Sequence, residues 1–215
     1  MEILLINGSP KGERSNWLKL SNSFIEGLKQ KKEAQGEQVS VCELDIASLK
    51  LGACKGCFAC WQATPGECCI KDDMQMVIEK QIEADLIIWS FPLYYFNVPG
   101  ILKNLIDRQL PMNLPFMMMF DHFLGKDNYE SIFCGQGELF RVKELSGRTD
   151  EYLTIVRTAG EEYAQGAISE ATNQELHQLL YPREVFEEMA DASWGISRDS
   201  GEKEPYDLIF TRQMA

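Results

Sequence analysis

Short apolar runs alternate with longer amphipathic stretches along the first two-thirds of the chain. "EILLING", residues 2–8, is continuously apolar and closes on glycine. Without the in–out alternation of a half-exposed strand, it predicts a strand covered on both faces, as in a parallel sheet. "SPKGERSNW" follows as a polar turn, and a helix is predicted over Ser15–Glu33, with Leu18, Phe24, Ile25 and Leu28 as its apolar stripe. "EQVSVCELDI" predicts a second strand, with a cysteine-rich segment where the next loop belongs. "DDMQMVIEKQIEA" predicts a helix that Asp72 or Asp73 would cap. A third buried strand, from Asp85 to about Phe91, runs into an aromatic loop, and the short helix "GILKNLIDRQL" has Pro99 near its first turn. "YESIFCGQGE" predicts a fourth strand, and "RTDEYLTIVRTAGEEYAQG" a helix ending near Gly166. From Ser169 onward the pattern is helical and then irregular, through the polar "SRDSGEKEPYD".

Strands alternating with helices predict an α/β fold, a doubly wound parallel sheet. A length of 215 residues suits a single domain, here 1–215, with a C-terminal helical extension over about 167–215. Such sheets usually have five strands, and the pattern supplies four. Between the helix ending near Leu110 and the strand starting near Tyr129 lies "PMNLPFMMMFDHFLGKDN", in which "MFDHFL" is a helical turn. The expectation is that one strand unit is lacking near residues 111–120, through a deletion or through two pieces joined across missing residues, which Cα spacing from Phe116 to Phe120 would decide.

Thirty-three acidic against twenty-one basic residues give a net charge of −12, which disfavours nucleic acid and anionic membrane surfaces as partners. No apolar stretch approaches membrane-spanning length and no export signal is visible, so the expected location is cytoplasmic, where seven cysteines suggest ligands or buried thiols.

Two segments carry candidate chemistry. In "NGSPKGERSN", a buried strand turns into a helix through small and hydroxyl residues, so amides and a helix N-terminus form an anion site. Ser9, Ser15 and Asn16 add donors there, and Lys11 and Arg14 add charge. It is neither a P-loop nor a dinucleotide fingerprint. In "SFPLYYFNVPGILKNLIDR", Pro92, Leu93, Tyr94, Tyr95, Phe96 and Asn97 lie beyond the third strand, where α/β sheets bind ligands, and offer flat apolar faces with polar tips. Each segment alone also reads blandly, as an ordinary turn or an aromatic core cluster.

Together the two resemble the flavodoxin-like NAD(P)H-dependent FMN reductases, through "NGSPKGERSN" and the "PG-x-LK-x-x-x-DR" character at Pro99, Gly100, Leu102, Lys103, Asp107 and Arg108. "CKGCFACW…PGEC…DDM" is similar to the iron–sulfur flavoprotein branch. The resemblance implies that Ser9, Lys11, Arg14, Ser15 and Asn16 hold the FMN phosphate, and that Pro92, Leu93, Tyr94, Tyr95 and Asn97 line the flavin ring. It implies NAD(P)H as co-substrate, a quinone, flavin or other small molecule as acceptor, and a homodimer or higher homo-oligomer. A further glycine-containing loop near the ring belongs to the family pattern and has no counterpart in the sequence.

Cys54, Cys57, Cys60 and Cys68 follow C-x2-C-x2-C-x7-C, with Cys69 directly after. Four thiolates so spaced can ligate a [4Fe–4S] cluster or zinc, a Cys-x-x-Cys pair can form a disulfide, and the segment also reads as a thiol-rich loop. All four readings stay open at this stage. With His122 and His177 as the only histidines, a Ser–His–Asp triad is disfavoured. Cys134 reads as core, and Met112 and Met117–Met119 as apolar filler. The function expected is FMN-dependent oxidoreduction, with no catalytic residue named. The rivals are an FMN/[4Fe–4S] electron carrier serving protein partners and a zinc-stabilised or flavin-free module.

Overall fold

Strand β1 (Glu2–Asn7) runs between β2 (Ser40–Asp45) and β3 (Leu86–Ser90) in a parallel sheet of order β2–β1–β3. The structure, a computed structural model, describes residues 1–95, 97–112, 132, 134, 140 and 142–194. The register pairs Glu2 with Ser40 through Asn7 with Asp45 on one side of β1, and Ile3 with Leu86 through Asn7 with Ser90 on the other. Being central, β1 is covered on both faces, which is why its sequence is apolar at every position from Ile3 to Ile6.

Helix α1 (Trp17–Ala34) covers the face made by Ile3 and Leu5, through Leu18, Ile25 and Leu28. A four-residue helix, α2 (Ala59–Gln62), lies in the cysteine segment. Helices α3 (Met74–Glu83) and α4 (Gly100–Asp107) cover the opposite face, where Met74, Val77, Ile78, Leu102 and Leu105 pack on Leu4, Ile6 and Leu44. At about 1.5–3 kcal/mol for each large apolar side chain withdrawn from water, these two clusters fix the sheet between its helices.

Helix α5 (Ser146–Tyr163) packs against α1 at very short range, and Tyr163 also meets the Ile3 and Leu5 cluster. A Cβ on Gly27 would lie 2.0 Å from the Arg157 carbonyl oxygen, and one on Gly160 would lie 2.0 Å from that of Phe24. Ser23 donates to the Leu153 carbonyl at 2.6 Å, and the Phe24 and Tyr163 rings sit 5.7 Å apart. Helices α6 (Glu170–Leu176) and α7 (Arg183–Trp194) follow, α6 capped by Ser169, whose side chain accepts from the Thr172 N–H.

Several expected boundaries shift. α1 starts at Trp17 and not Ser15, because a 3-10 turn at Gly12–Arg14 intervenes, with Ser15 at its end. α5 ends at Tyr163, and Gly166 lies beyond it at φ 126°. Cys134 is buried among Leu20, Tyr152 and Val156, in agreement with a core role. Of the fourth strand expected at 129–138, Ile132 and Cys134 are described and neither lies in a strand. The strand unit expected to be lacking near 111–120, and the Phe116–Phe120 spacing, lie outside the described residues apart from Pro111 and Met112. Among the described residues, no helix is long and apolar enough to cross a membrane.

Candidate functional site

Three parallel strands deliver three loops to one edge of the sheet. Strand order reverses between β1 and β3, and ligands of open α/β sheets bind in the crevice outside the strand ends at such a reversal. The β1 and β3 loops leave side by side, with the Gly8 N–H donating to the Ser90 carbonyl at 2.8 Å.

The β1 loop is held by its own side chains. Asn7 Oδ1 accepts from the Ser9 N–H at 3.2 Å, Ser9 Oγ from the Lys11 N–H at 3.2 Å, and Ser15 Oγ from the Trp17 N–H at 3.3 Å. Gly12 takes φ 55°, and a Cβ there would lie 2.7 Å from Asp45 Oδ2 at the end of β2. The expected phosphate residues thus divide. Ser9 and Ser15 are buried and shape the turn, Asn16 is half-buried at the α1 N-terminus, and Lys11 and Arg14 are exposed with their charges in solvent.

Beyond β3, Pro92 is buried, while Leu93, Tyr94, Tyr95 and Asn97 are exposed. Tyr94 and Asn97 exchange backbone hydrogen bonds of 2.8 and 3.0 Å, closing a tight hairpin. Tyr95 sits in that turn at φ 49° with its side chain fully exposed. A bulky residue in the left-handed region costs about 1–3 kcal/mol. Tyr95→Gly is therefore expected to leave thermal stability unchanged or raised while deleting the ring, a combination readable by calorimetry.

Two polar groups that the sequence reading missed lie at the floor between the loops. Asn7 and Ser90 are cross-strand partners, both buried. Asn7 Nδ2 and Ser90 Oγ have no hydrogen-bond partner among the described residues. Buried polar atoms normally are paired, so this edge fits a ligand with polar atoms. The signal was present in the sequence, as a polar residue closing each of two apolar strands.

The third loop, after β2, is the cysteine segment. Cys54, Cys57, Cys60, Cys68 and Cys69 all line one small cavity with Lys55, Phe58, Arg108 and Pro111. Cys54, Cys57 and Cys69 are exposed, Cys68 half-buried and Cys60 buried. Among the described residues no three His, Cys, Asp or Glu side chains are arranged to hold a metal ion. The expected Cys54, Cys57, Cys60, Cys68 set is therefore gathered but not closed. Its donor chemistry still fits a thiolate-ligated centre, since all four sulfurs share one pocket. Cys57 and Cys69 touch instead, at 3.5 Å between sulfurs. The Ala59 N–H, and then the Cys69 thiol, hold the Cys57 thiol below its ordinary pKa, while burial pushes that of Cys60 up.

Arg108 forms the base of this cavity, with its side chain fully buried. It pairs with the Asp72 carboxylate and donates to the Gly52 carbonyl at 3.2 Å and the Ile70 carbonyl at 3.4 Å. Asp72 also accepts from the Gly52 N–H at 2.9 Å and the Met74 N–H at 3.2 Å. Asp72 is thus more than the cap expected of it, and Asp73, at the N-cap position, instead accepts from the Lys50 N–H at 2.7 Å. Burial raises the Asp72 pKa, but Arg108 and the Gly52 and Met74 N–H groups more than reverse this, so the carboxyl sits below its ordinary range.

A depressed native pKa gives stability that is complete above the unfolded-state value, about 3.9, and is lost as pH falls through the native value. Acid unfolding followed by circular dichroism is therefore expected to lose part of its steepness below about pH 4 in Asp72→Asn.

Residues 1–186 match a family model described as a flavodoxin-like fold. The chain belongs to the flavodoxin-like fold family. An iron–sulfur flavoprotein of Archaeoglobus fulgidus is 39% identical over 108 residues, 50% of this chain and 48% of that protein. An FMN-dependent NADH:quinone oxidoreductase of Pseudomonas syringae pv. tomato is 34% identical over 187 residues, 80% of this chain and 87% of that protein. The chain spans about half the length of the iron–sulfur flavoproteins it matches. The flavodoxin-like sheet order β2–β1–β3 is the one in which β1 and β3 flank the switch point.

Proposed function

We propose that this flavodoxin-like chain is an FMN-dependent oxidoreductase that takes a hydride from NAD(P)H and passes the electrons to a small acceptor such as a quinone. The observation that carries the reading is the pair of adjacent loops at the β1/β3 edge, over a floor of buried Asn7 Nδ2 and Ser90 Oγ that have no partner among the described residues. FMN bound there supplies a centre that accepts a hydride and releases electrons singly or in pairs. The β1 loop would hold the phosphate through amides of its turn, with Lys11 and Arg14 supplying charge. Pro92, Leu93, Tyr94, Tyr95 and Asn97 would flank the ring. The likeness to a quinone oxidoreductase along most of its length supports this reading.

Lys11→Ala and Arg14→Ala are each expected to weaken FMN binding about 10-fold or more, the worth of one charge-assisted hydrogen bond. Because both side chains are exposed, melting of the FMN-free protein should not change. Fluorescence titration with FMN measures the first and calorimetry the second. Unchanged affinity in both variants would remove the phosphate assignment. NADH and NADPH oxidation with a soluble quinone tests the activity itself, and no turnover by flavin-loaded protein would overturn it.

A second reading is favoured by the shared thiol pocket: an FMN/[4Fe–4S] electron-transfer flavoprotein, with Cys54, Cys57, Cys60 and Cys68 as ligands. Iron, zinc and flavin assayed on anaerobically purified protein separate the two. About four irons per chain would move the balance to the electron carrier.

A further inference from the structure

Cys57 and Cys69 lie on opposite arms of the cysteine loop, Cys57 ahead of α2 and Cys69 after the turn in which the Glu67 N–H donates to the Thr64 carbonyl at 2.9 Å. Their sulfurs are 3.5 Å apart and both residues are exposed. The other thiols of the pocket are differently placed. Cys60 is buried, Cys68 faces Arg108, and Cys54 Sγ accepts from the Gly56 N–H at 3.5 Å. We propose that Cys57 and Cys69 form a reversible disulfide, a thiol-redox site at the mouth of this pocket.

Going from 3.5 Å to a bond length of about 2.05 Å is a short approach between two exposed thiols. Hydrogen peroxide is the oxidant. The Cys57 sulfur attacks one peroxide oxygen, the O–O bond breaks, and a sulfenic acid and water form. The Cys69 sulfur then attacks the Cys57 sulfur. The S–S bond forms, the S–O bond breaks, and a second water leaves with the Cys69 proton. Two thiols lose two electrons and the peroxide gains them. The product withdraws Cys57 from the Cys54, Cys57, Cys60, Cys68 set, so the disulfide and a four-thiolate metal centre exclude one another. The inference needs neither FMN nor metal.

The test uses the full chain, reduced, desalted anaerobically, treated with hydrogen peroxide and alkylated. Cleavage after Lys55, Glu67 and Lys71 without reductant places Cys57 and Cys69 on separate peptides. Mass spectrometry is expected to show these peptides joined through Cys57 and Cys69 in most chains, and separate again after dithiothreitol. Cys69→Ser should abolish the link and leave the Cys57 sulfenic acid open to trapping by dimedone, with an unchanged circular dichroism spectrum. Full alkylation of both residues after peroxide, or a link running through Cys54–Cys57 or Cys68–Cys69, would overturn the proposal. Iron and flavin assays on the same sample keep its failure distinct from that of the function proposed above.

Discussion

Replacing Arg108 by methionine is expected to lower the free energy of unfolding by about 3–5 kcal/mol, the cost of breaking a buried ion pair by removing one partner. An exposed pair would cost about 1 kcal/mol or less, and Arg108 is not one, since none of its side chain reaches solvent. Loss of the guanidinium leaves the Asp72 carboxylate mostly buried and supported only by the Gly52 and Met74 N–H groups. It also strips the Gly52 and Ile70 carbonyls of a donor. Urea midpoints at neutral pH measure the effect. In Arg108→Met combined with Asp72→Asn, the loss should be smaller than the sum of the two single losses, because neither variant group then leaves a buried charge alone. Strict additivity would show that the two side chains are not coupled in the native state. Limited proteolysis should cut the Arg108→Met variant between residues 52 and 70 faster than the parent.

Alanine at Gly160 is expected to destabilise the chain although alanine is the better helix former. The propensity gain is about 1 kcal/mol. Against it stands a Cβ placed 2.0 Å from the Phe24 carbonyl oxygen, and backbone cannot rotate away as a side chain can. Overpacking of this kind costs about 1–3 kcal/mol and more when only a helix axis can yield, so the steric effect wins. Gly27→Ala meets the same obstacle from the other helix, at the Arg157 carbonyl. Gly147, in the first turn of α5, has nothing within 4 Å of its would-be Cβ. Gly147→Ala should therefore be neutral or stabilising by up to about 1 kcal/mol. Thermal unfolding of the three variants is the check. Equal melting temperatures would mean that α1 and α5 do not pack at this separation.

Two strands were legible as apolar runs: Ile3 to Ile6 admit no polar residue and are buried, and Leu86 to Trp89 repeat the sequence pattern, although the strand expected there to be buried is only half-buried before Ser90. The loop residues of the candidate site were legible by type and order, but not by posture. Ser9 and Ser15, read in the sequence as ligand donors, also anchor the turn, their Oγ atoms accepting from the Lys11 and Trp17 N–H groups. Nothing in "LYYFN" announces a left-handed residue, since tyrosine at positive φ has no compositional signature and a hairpin of this kind usually advertises itself with glycine or asparagine. The Asp72–Arg108 pair was hidden for another reason. The two residues are 36 apart, each sits at a helix terminus where a charge is unremarkable, and only the return of the chain across the sheet brings them together. Cysteine spacing likewise limits which thiols can share a pocket, but not which two touch inside it.

Arg108 and Asp72 together do one more thing. Gly52 and Asp72, twenty residues apart, meet at the guanidinium, so the segment between them is a loop with a tied neck. Ring closure costs only a logarithm of the loop's length, and the neck meets that cost once for the whole enclosed segment. The five enclosed cysteines line one pocket, held together by the neck as well as by their short spacing. Opening the neck would let all five move apart at once.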